Sequence, residues 1–173
     1  MVLEILTFPS EVLRRKAAMI DSPTDKLNAL IENMKETLYA ANGFGLAAPQ
    51  VGESIRLIVY DETAGREGQN PKIIINPEIV EESGEQIVEE GCLSIPGEYV
   101  PVKRYLRVLV KALDENFDPV IINAEGHTAR IMQHEIDHLN GVLFIDRLPS
   151  FRRDTIKKHI KRRIANGEYK TAQ

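Results

Sequence analysis

The chain has 173 residues, 43% of them hydrophobic and 28% charged, with a net charge of −4. That suffices for one domain, residues 1–173, with a sizeable core; it excludes a disordered chain, and no apolar run approaches the roughly eighteen residues of a membrane span. The acidity gives no reason to expect DNA binding, yet residues 150–173 hold 8 Lys/Arg against 2 Asp/Glu, so basic charge gathers in the tail.

The first residues, Met1-Val2-Leu3-Glu4-Ile5, carry no basic stretch ahead of an apolar one, so the expected location is cytoplasmic. The single cysteine, Cys92, cannot form an intrachain disulfide, which suits a reducing compartment. Alone, such a residue reads first as a small buried hydrophobe.

In chain order, an extended N-terminal segment leads to Pro9-Ser10, which predicts a short capped helix over 11–15. Leu27, Leu30, Ile31, Met34 and Leu38 keep the helical period from a Thr24 cap to a stop at Asn42-Gly43. The stretch Gly43-Phe44-Gly45-Leu46-Ala47-Ala48-Pro49-Gln50-Val51-Gly52 follows. Its small residues permit close backbone approach to another group, and Pro49 forbids a continuing helix; an ordinary connecting loop is the other reading. Strands are expected over 55–60 and 73–80, the second interrupted at Pro77, with a polar loop between them.

Gln86-Ile87-Val88 leads into an extended segment, 89–97, that ends in a turn. Further strands are expected over 99–103, 106–113 and 119–123, the last two joined at Asp114-Glu115-Asn116. Strands followed by one buried helix form an antiparallel pattern, and the fold class is α+β, with antiparallel sheets packed around that central helix. Ser150 is expected to cap a final helix ending at Asn166-Gly167, docked through Ile156, Ile160 and Ile164.

The central helix carries Gln133-His134-Glu135-Ile136-Asp137-His138, an H-E-x-x-H arrangement. One turn apart on a common face, the rings of His134 and His138 can reach one divalent ion, with Glu135 beside them to take a proton from acidified water. The alternative is an amphipathic helix whose histidines are merely satisfied. Met132, Ile136 and Leu139 lie opposite the histidine face and Ile131 beside it, so the helix is expected to be buried and the site internal. His127 lies seven residues before His134, about 10 Å along the axis at 1.5 Å per residue, too far to be a ligand.

Three segments, G-F-G-L-A-A-P-Q, E-G-C-L-S-I-P and Q-H-E-I-D-H, stand in an order and at gaps that closely resemble the bacterial peptide deformylases. The order of elements fits that family over residues 1–165. The resemblance implies hydrolysis of the N-formyl group from the formyl-methionine of new polypeptides, releasing formate. It implies Cys92 as the third metal ligand with His134 and His138, leaving a fourth position for water. It likewise implies Glu135 as general base, the Leu93 N–H and Gln50 amide as oxyanion donors, and backbone of Phe44, Gly45 and Gly91 pairing with an extended peptide. Phe44, Val88 and the start of the site helix are expected to wall the methionine pocket. The family's ion is Fe2+, with Zn2+, Ni2+ or Co2+ able to substitute. The basic tail helix suggests docking to ribosomal RNA where nascent chains emerge. Tyr99, where relatives often have a basic residue, and His127 and Thr128, where many have large apolar ones, depart from the family's pattern.

Overall fold

The computed structural model describes residues 1–169; positions 170–173, the end of the basic tail, lie outside the described residues. A five-stranded antiparallel sheet is built from β1 (Gly45–Ala47), β2 (Leu57–Tyr60), β3 (Lys72–Ser83), β6 (Arg107–Leu113) and β7 (Pro119–Glu125), in that spatial order. A separate two-stranded ribbon pairs β4 (Gln86–Cys92) with β5 (Ile95–Arg104). Three helices complete the fold: α1 (Asp25–Ala40), α2 (His127–Leu139) and the C-terminal α3 (Ser150–Ala165). Among the described residues, no helix is long and apolar enough to cross a membrane.

Strand alternation explains why the sheet is covered on both faces. On β2, Leu57 and Val59 join Leu27, Ile31, Met34 and Leu38 of α1 in one core. The intervening Ile58 and Tyr60 join Ile131, Met132 and Ile136 of α2 in another. Thus α2 is enclosed, as its apolar flanks require. A third cluster, with Phe144, Leu148 and Ile160 packed on Ile95 and Val102, seats the ribbon and α3.

Local signals behave as their chemistry dictates. Thr24 Oγ1 accepts from the Leu27 amide at 3.1 Å and starts α1. Pro77 cannot donate to the ladder, and register shifts between Ile75 and Glu78. At that bulge Asn76 adopts φ 52° and exchanges two hydrogen bonds with the Ile20 backbone, at 2.8 and 2.9 Å. Two features hold α2 in place. Gly126, at φ 62°, makes the turn from β7, and Gln133 bonds both the N–H and C=O of Tyr105 at 2.9 Å.

Some expectations are corrected. Residues 11–14 form a 3-10 turn in which Ser10 makes no side-chain cap bond. Residues 45–47 of the glycine stretch pair with β2, and Ala48–Val51 is a 3-10 turn, which Pro49 tolerates in its first turn. The turn in the ribbon comes at Leu93-Ser94, so β5 begins at Ile95. Ser150 is the first residue of α3, preceded by Pro149, and does not cap it. A 3-10 turn at Phe144–Arg147 was not foreseen.

Candidate active site

Cys92 ends β4, while His134 and His138 stand one turn apart on α2, where the ribbon crosses the helix. One ligand atom from each lies within 4.8 Å of the other two, and Cys92 Sγ is 3.3 Å from His138 Nε2. The 3.3 Å separation is close to the roughly 3.5 Å between sulfur and nitrogen that a tetrahedral ion with metal–sulfur bonds of about 2.3 Å and metal–nitrogen bonds of about 2.0 Å would span. Buried polar groups without partners add to the case. Glu135 Oε2 and His138 Nδ1 have no hydrogen bond among the described residues, in a site where such groups are costly to leave unmet.

Glu135 shares the helix with the two imidazoles and is 4% exposed. It sits against β1, where a Cβ on Gly45 would stand 2.8 Å from its Cγ and Oε1. Glycine at that position is therefore what gives the carboxylate its place. Burial pushes the Glu135 carboxyl up to about 7, against the pull of the neighbouring His134. A carboxyl poised near neutrality suits proton transfer in both directions.

Gln50, 1% exposed, is fixed at both ends of its amide. Oε1 accepts from the Ala47 N–H at 2.9 Å, and Nε2 donates to Ser94 Oγ at 3.1 Å while lying 3.8 Å from Cys92 Sγ. This assigns the amide its orientation and aims a donor beside the sulfur. Leu93 follows Cys92 in the ribbon turn.

Behind the Cys92, His134 and His138 cluster runs a buried chain of charges. His134 Nδ1 donates to Glu90 Oε1 at 2.7 Å, which turns Nε2 toward the ligand cluster. Arg104 donates to both oxygens of Glu90 at 2.9 and 3.0 Å, and to Asp137 Oδ2 at 2.7 Å. Asp137 is held again by Arg147 at 2.7 and 3.1 Å. Burial alone would raise the Glu90 carboxyl, but its bonds from His134 and Arg104 outweigh this and hold it at about 2. Burial also lowers His138 well below its ordinary value, with His134 reinforcing it, so the ring is the neutral donor a metal needs.

A cavity of about 420 Å³ opens from this cluster. It is lined by Phe44, Gly45, Gln50, Gly91, Cys92 and Leu93, and on the helix side by His127, Arg130, Ile131, His134 and Glu135. Val88 is not among the lining residues. It shares the Glu90 face of β4, two residues back, but is 38% exposed, because the ribbon there extends past the end of the cleft. Tyr99 is 69% exposed and lays its ring over Gly91. His127 is half-buried with its ring edge-to-face on Phe44 at 4.6 Å. His159 is on the surface of α3, paired with Glu98 at 2.6 Å.

Sequence reasoning did not find Glu90, Arg104, Asp137 or Ser94. The one available signal was an acid two residues before the cysteine on the same strand. Nothing local marks Arg104 as its partner.

The sequence model of the family described as Polypeptide deformylase matches residues 2–154. A peptide deformylase of Thermodesulfovibrio yellowstonii is 49% identical over 160 residues, covering 92% of this chain and 97% of that one. Another, from Halothermothrix orenii, is 52% identical over 147 residues, 85% of this chain and 94% of its own. Among solved structures, a peptide deformylase from Legionella pneumophila superposes with a TM-score of 0.90 at 42% identity, covering 98% of this chain and 99% of that chain. One from Ehrlichia chaffeensis in complex with actinonin gives 0.86 at 39% identity, over 94% and 97%. With the matched span taking in every element from α1 to α2, the chain belongs to the polypeptide deformylase family.

Proposed function

We propose that residues 1–173 act as one catalytic domain that hydrolyses the N-formyl group of formyl-methionine on newly made polypeptides, releasing formate and a free amine. The observation that carries this reading is the approach of Cys92, His134 and His138 ligand atoms to within 4.8 Å of one another beside buried Glu135.

Cys92, His134 and His138 would hold a divalent ion, which we assign as Fe2+, with Zn2+, Ni2+ or Co2+ able to take its place. When bound, such an ion supplies Lewis acidity to water and to the formyl carbonyl. The thiolate tempers that acidity, so the surrounding groups carry more of the work. Glu135 takes a proton from the attacking water on a carboxylate oxygen. As the C–N bond breaks, it passes that proton to the leaving amine. Charge growing on the formyl oxygen is met by the Gln50 Nε2 amide and the Leu93 N–H; a carboxylate in place of Gln50 would repel it. Backbone groups of Phe44, Gly45 and Gly91 pair with the extended peptide, a contact indifferent to most side chains. The formyl carbon bears only hydrogen beyond its amide, so a narrow pocket beside the ion would admit it and reject larger acyl groups.

The test is formate release by anaerobically purified protein from formyl-Met-Ala-Ser, beside unblocked Met-Ala-Ser. Formate from the first and no cleavage of the second is expected; cleavage of the unblocked peptide would make the chain a general peptidase.

The nature of the substrate makes the cytoplasm the place of action and the ribosome a partner, reached through α3. On that helix Arg152, Lys157, Lys158, Lys161 and Arg162 are exposed, while Ile160 is buried. Replacing those five cations by Glu, which spares the apolar face, is expected to abolish salt-sensitive co-sedimentation with ribosomes. Unchanged co-sedimentation would remove this partner.

A further inference from the structure

The end of the cleft nearest the start of α2 is not wholly apolar. Arg130 lies four residues before His134, one helical turn away on the same face, and lines the cavity with Phe44, His127 and Ile131. His127 bridges two partners: its Nε2 is 3.1 Å from the Glu62 carbonyl oxygen, and its Nδ1 is 3.0 Å from Arg130 Nη2. A carbonyl oxygen can only accept and a guanidinium can only donate, so His127 is the neutral tautomer protonated at Nε2. Burial and the neighbouring Arg130 both lower its proton affinity, which agrees. The ring is further fixed edge-to-face on Phe44, over which the Arg66 guanidinium lies at 5.5 Å. The guanidinium of Arg130 is thus tethered at one nitrogen. Among the described residues it has no carboxylate partner, and its other donors are free to meet a ligand in the cavity.

We propose that Arg130, oriented by His127, is a specificity-determining residue that gives the pocket for the first side chain a hydrogen-bond-donating end. This rests on the deformylase reading. With the formyl carbon at the Cys92–His134–His138 cluster, one turn along α2 is the reach of the first residue's side chain. The methionine thioether is a weak acceptor and packs on Ile131, Phe44 and the Arg130 stem. A side chain of the same length ending in a strong acceptor gains what the thioether cannot. Methionine sulfoxide is that side chain: the same skeleton with an S=O oxygen in place of a lone pair. An entirely apolar pocket would leave that oxygen unpaired and reject it, as buried polar groups without partners are rejected. The inferred substrate range therefore includes formylated peptides whose initiator methionine has been oxidised.

The experiment compares kcat/KM on formyl-Met-Ala-Ser with that on the corresponding methionine-sulfoxide peptide, using metal-loaded enzyme under anaerobic conditions. The unaltered enzyme is expected to hydrolyse the sulfoxide peptide within about tenfold of the methionine peptide. In Arg130→Leu the sulfoxide-to-methionine ratio falls at least a further tenfold, and Arg130→Lys, which keeps a donor, recovers part of it. Because the ratio is taken within one variant, partial loss of fold or metal cancels. A ratio unmoved by Arg130→Leu overturns this inference alone. No formate from either peptide with the unaltered enzyme overturns the deformylase reading and this inference with it.

Discussion

Arg104→Met tests the buried charge chain that runs behind Cys92, His134 and His138. The Arg104 side chain is 3% exposed and makes three charge-assisted bonds, two to Glu90 and one to Asp137. Asp137 keeps Arg147 after the change, through two bonds, so the loss falls on Glu90, whose side chain is 8% exposed and would retain only His134. Breaking a buried pair by removing one partner destabilises by about 3–5 kcal/mol, which in a chain of this size lowers Tm by roughly 10 °C. Thermal unfolding followed by circular dichroism reads this directly. The double variant Glu90→Gln/Arg104→Met should lose about 1–3 kcal/mol less than the two single losses together, because neutral Gln no longer needs the guanidinium. A drop in Tm under about 3 °C for Arg104→Met, or strict additivity in the double variant, would refute the claim that the chain is energetically coupled.

Other expectations follow from the same geometry. Glu135→Gln is expected to keep its metal by elemental analysis while turnover falls about 100-fold or more, whereas Cys92→Ala loses the metal itself; equal turnover in the first would end the proton-transfer role. Gly45→Ala sets a methyl against Glu135 and should impair turnover with metal content retained, since the neighbour displaced is the carboxylate and not a ligand. Burial raises the Asp61 carboxyl, but the Asn70 N–H, the Tyr39 hydroxyl and Thr63 outweigh this and hold it at about 2, below its ordinary 3.8. A depressed carboxyl stabilises the fold above pH of about 4 and loses that contribution as pH falls through about 2. Asp61→Asn should therefore flatten the fall of Tm between those pH values, and a profile of unchanged steepness would count against it.

The legible parts of this chain were those governed by local rules. Helix α1 announced itself through its apolar period and the Thr24 hydroxyl, and α2 through its flanking apolar residues and the one-turn spacing of His134 and His138. Pro77 gave away the bulge in β3 because its missing N–H is a property of the residue alone. What stayed hidden depends on partners distant in sequence. The Glu90–Arg104–Asp137 chain joins β4, β5 and α2 across up to 44 positions counting His134, and no periodicity encodes such pairing. Strand β1 is three residues long and exists because β2 offers it a ladder, so its glycine-rich sequence reads as a loop. For the pocket, Phe44 and the start of the site helix do line the cavity, but Val88 does not, since the sequence carries no signal for how far the cleft extends along β4.

Convergence of one sulfur and two ring nitrogens on a single ion is the claim everything else depends on, and X-ray absorption at the metal edge of zinc-loaded protein measures it most directly. The expected spectrum has one sulfur scatterer at about 2.3 Å and two imidazole nitrogens at about 2.0–2.1 Å, with the sulfur lost in any metal retained by Cys92→Ala. A first shell of nitrogen and oxygen alone, or a spectrum unchanged by that substitution, would contradict it.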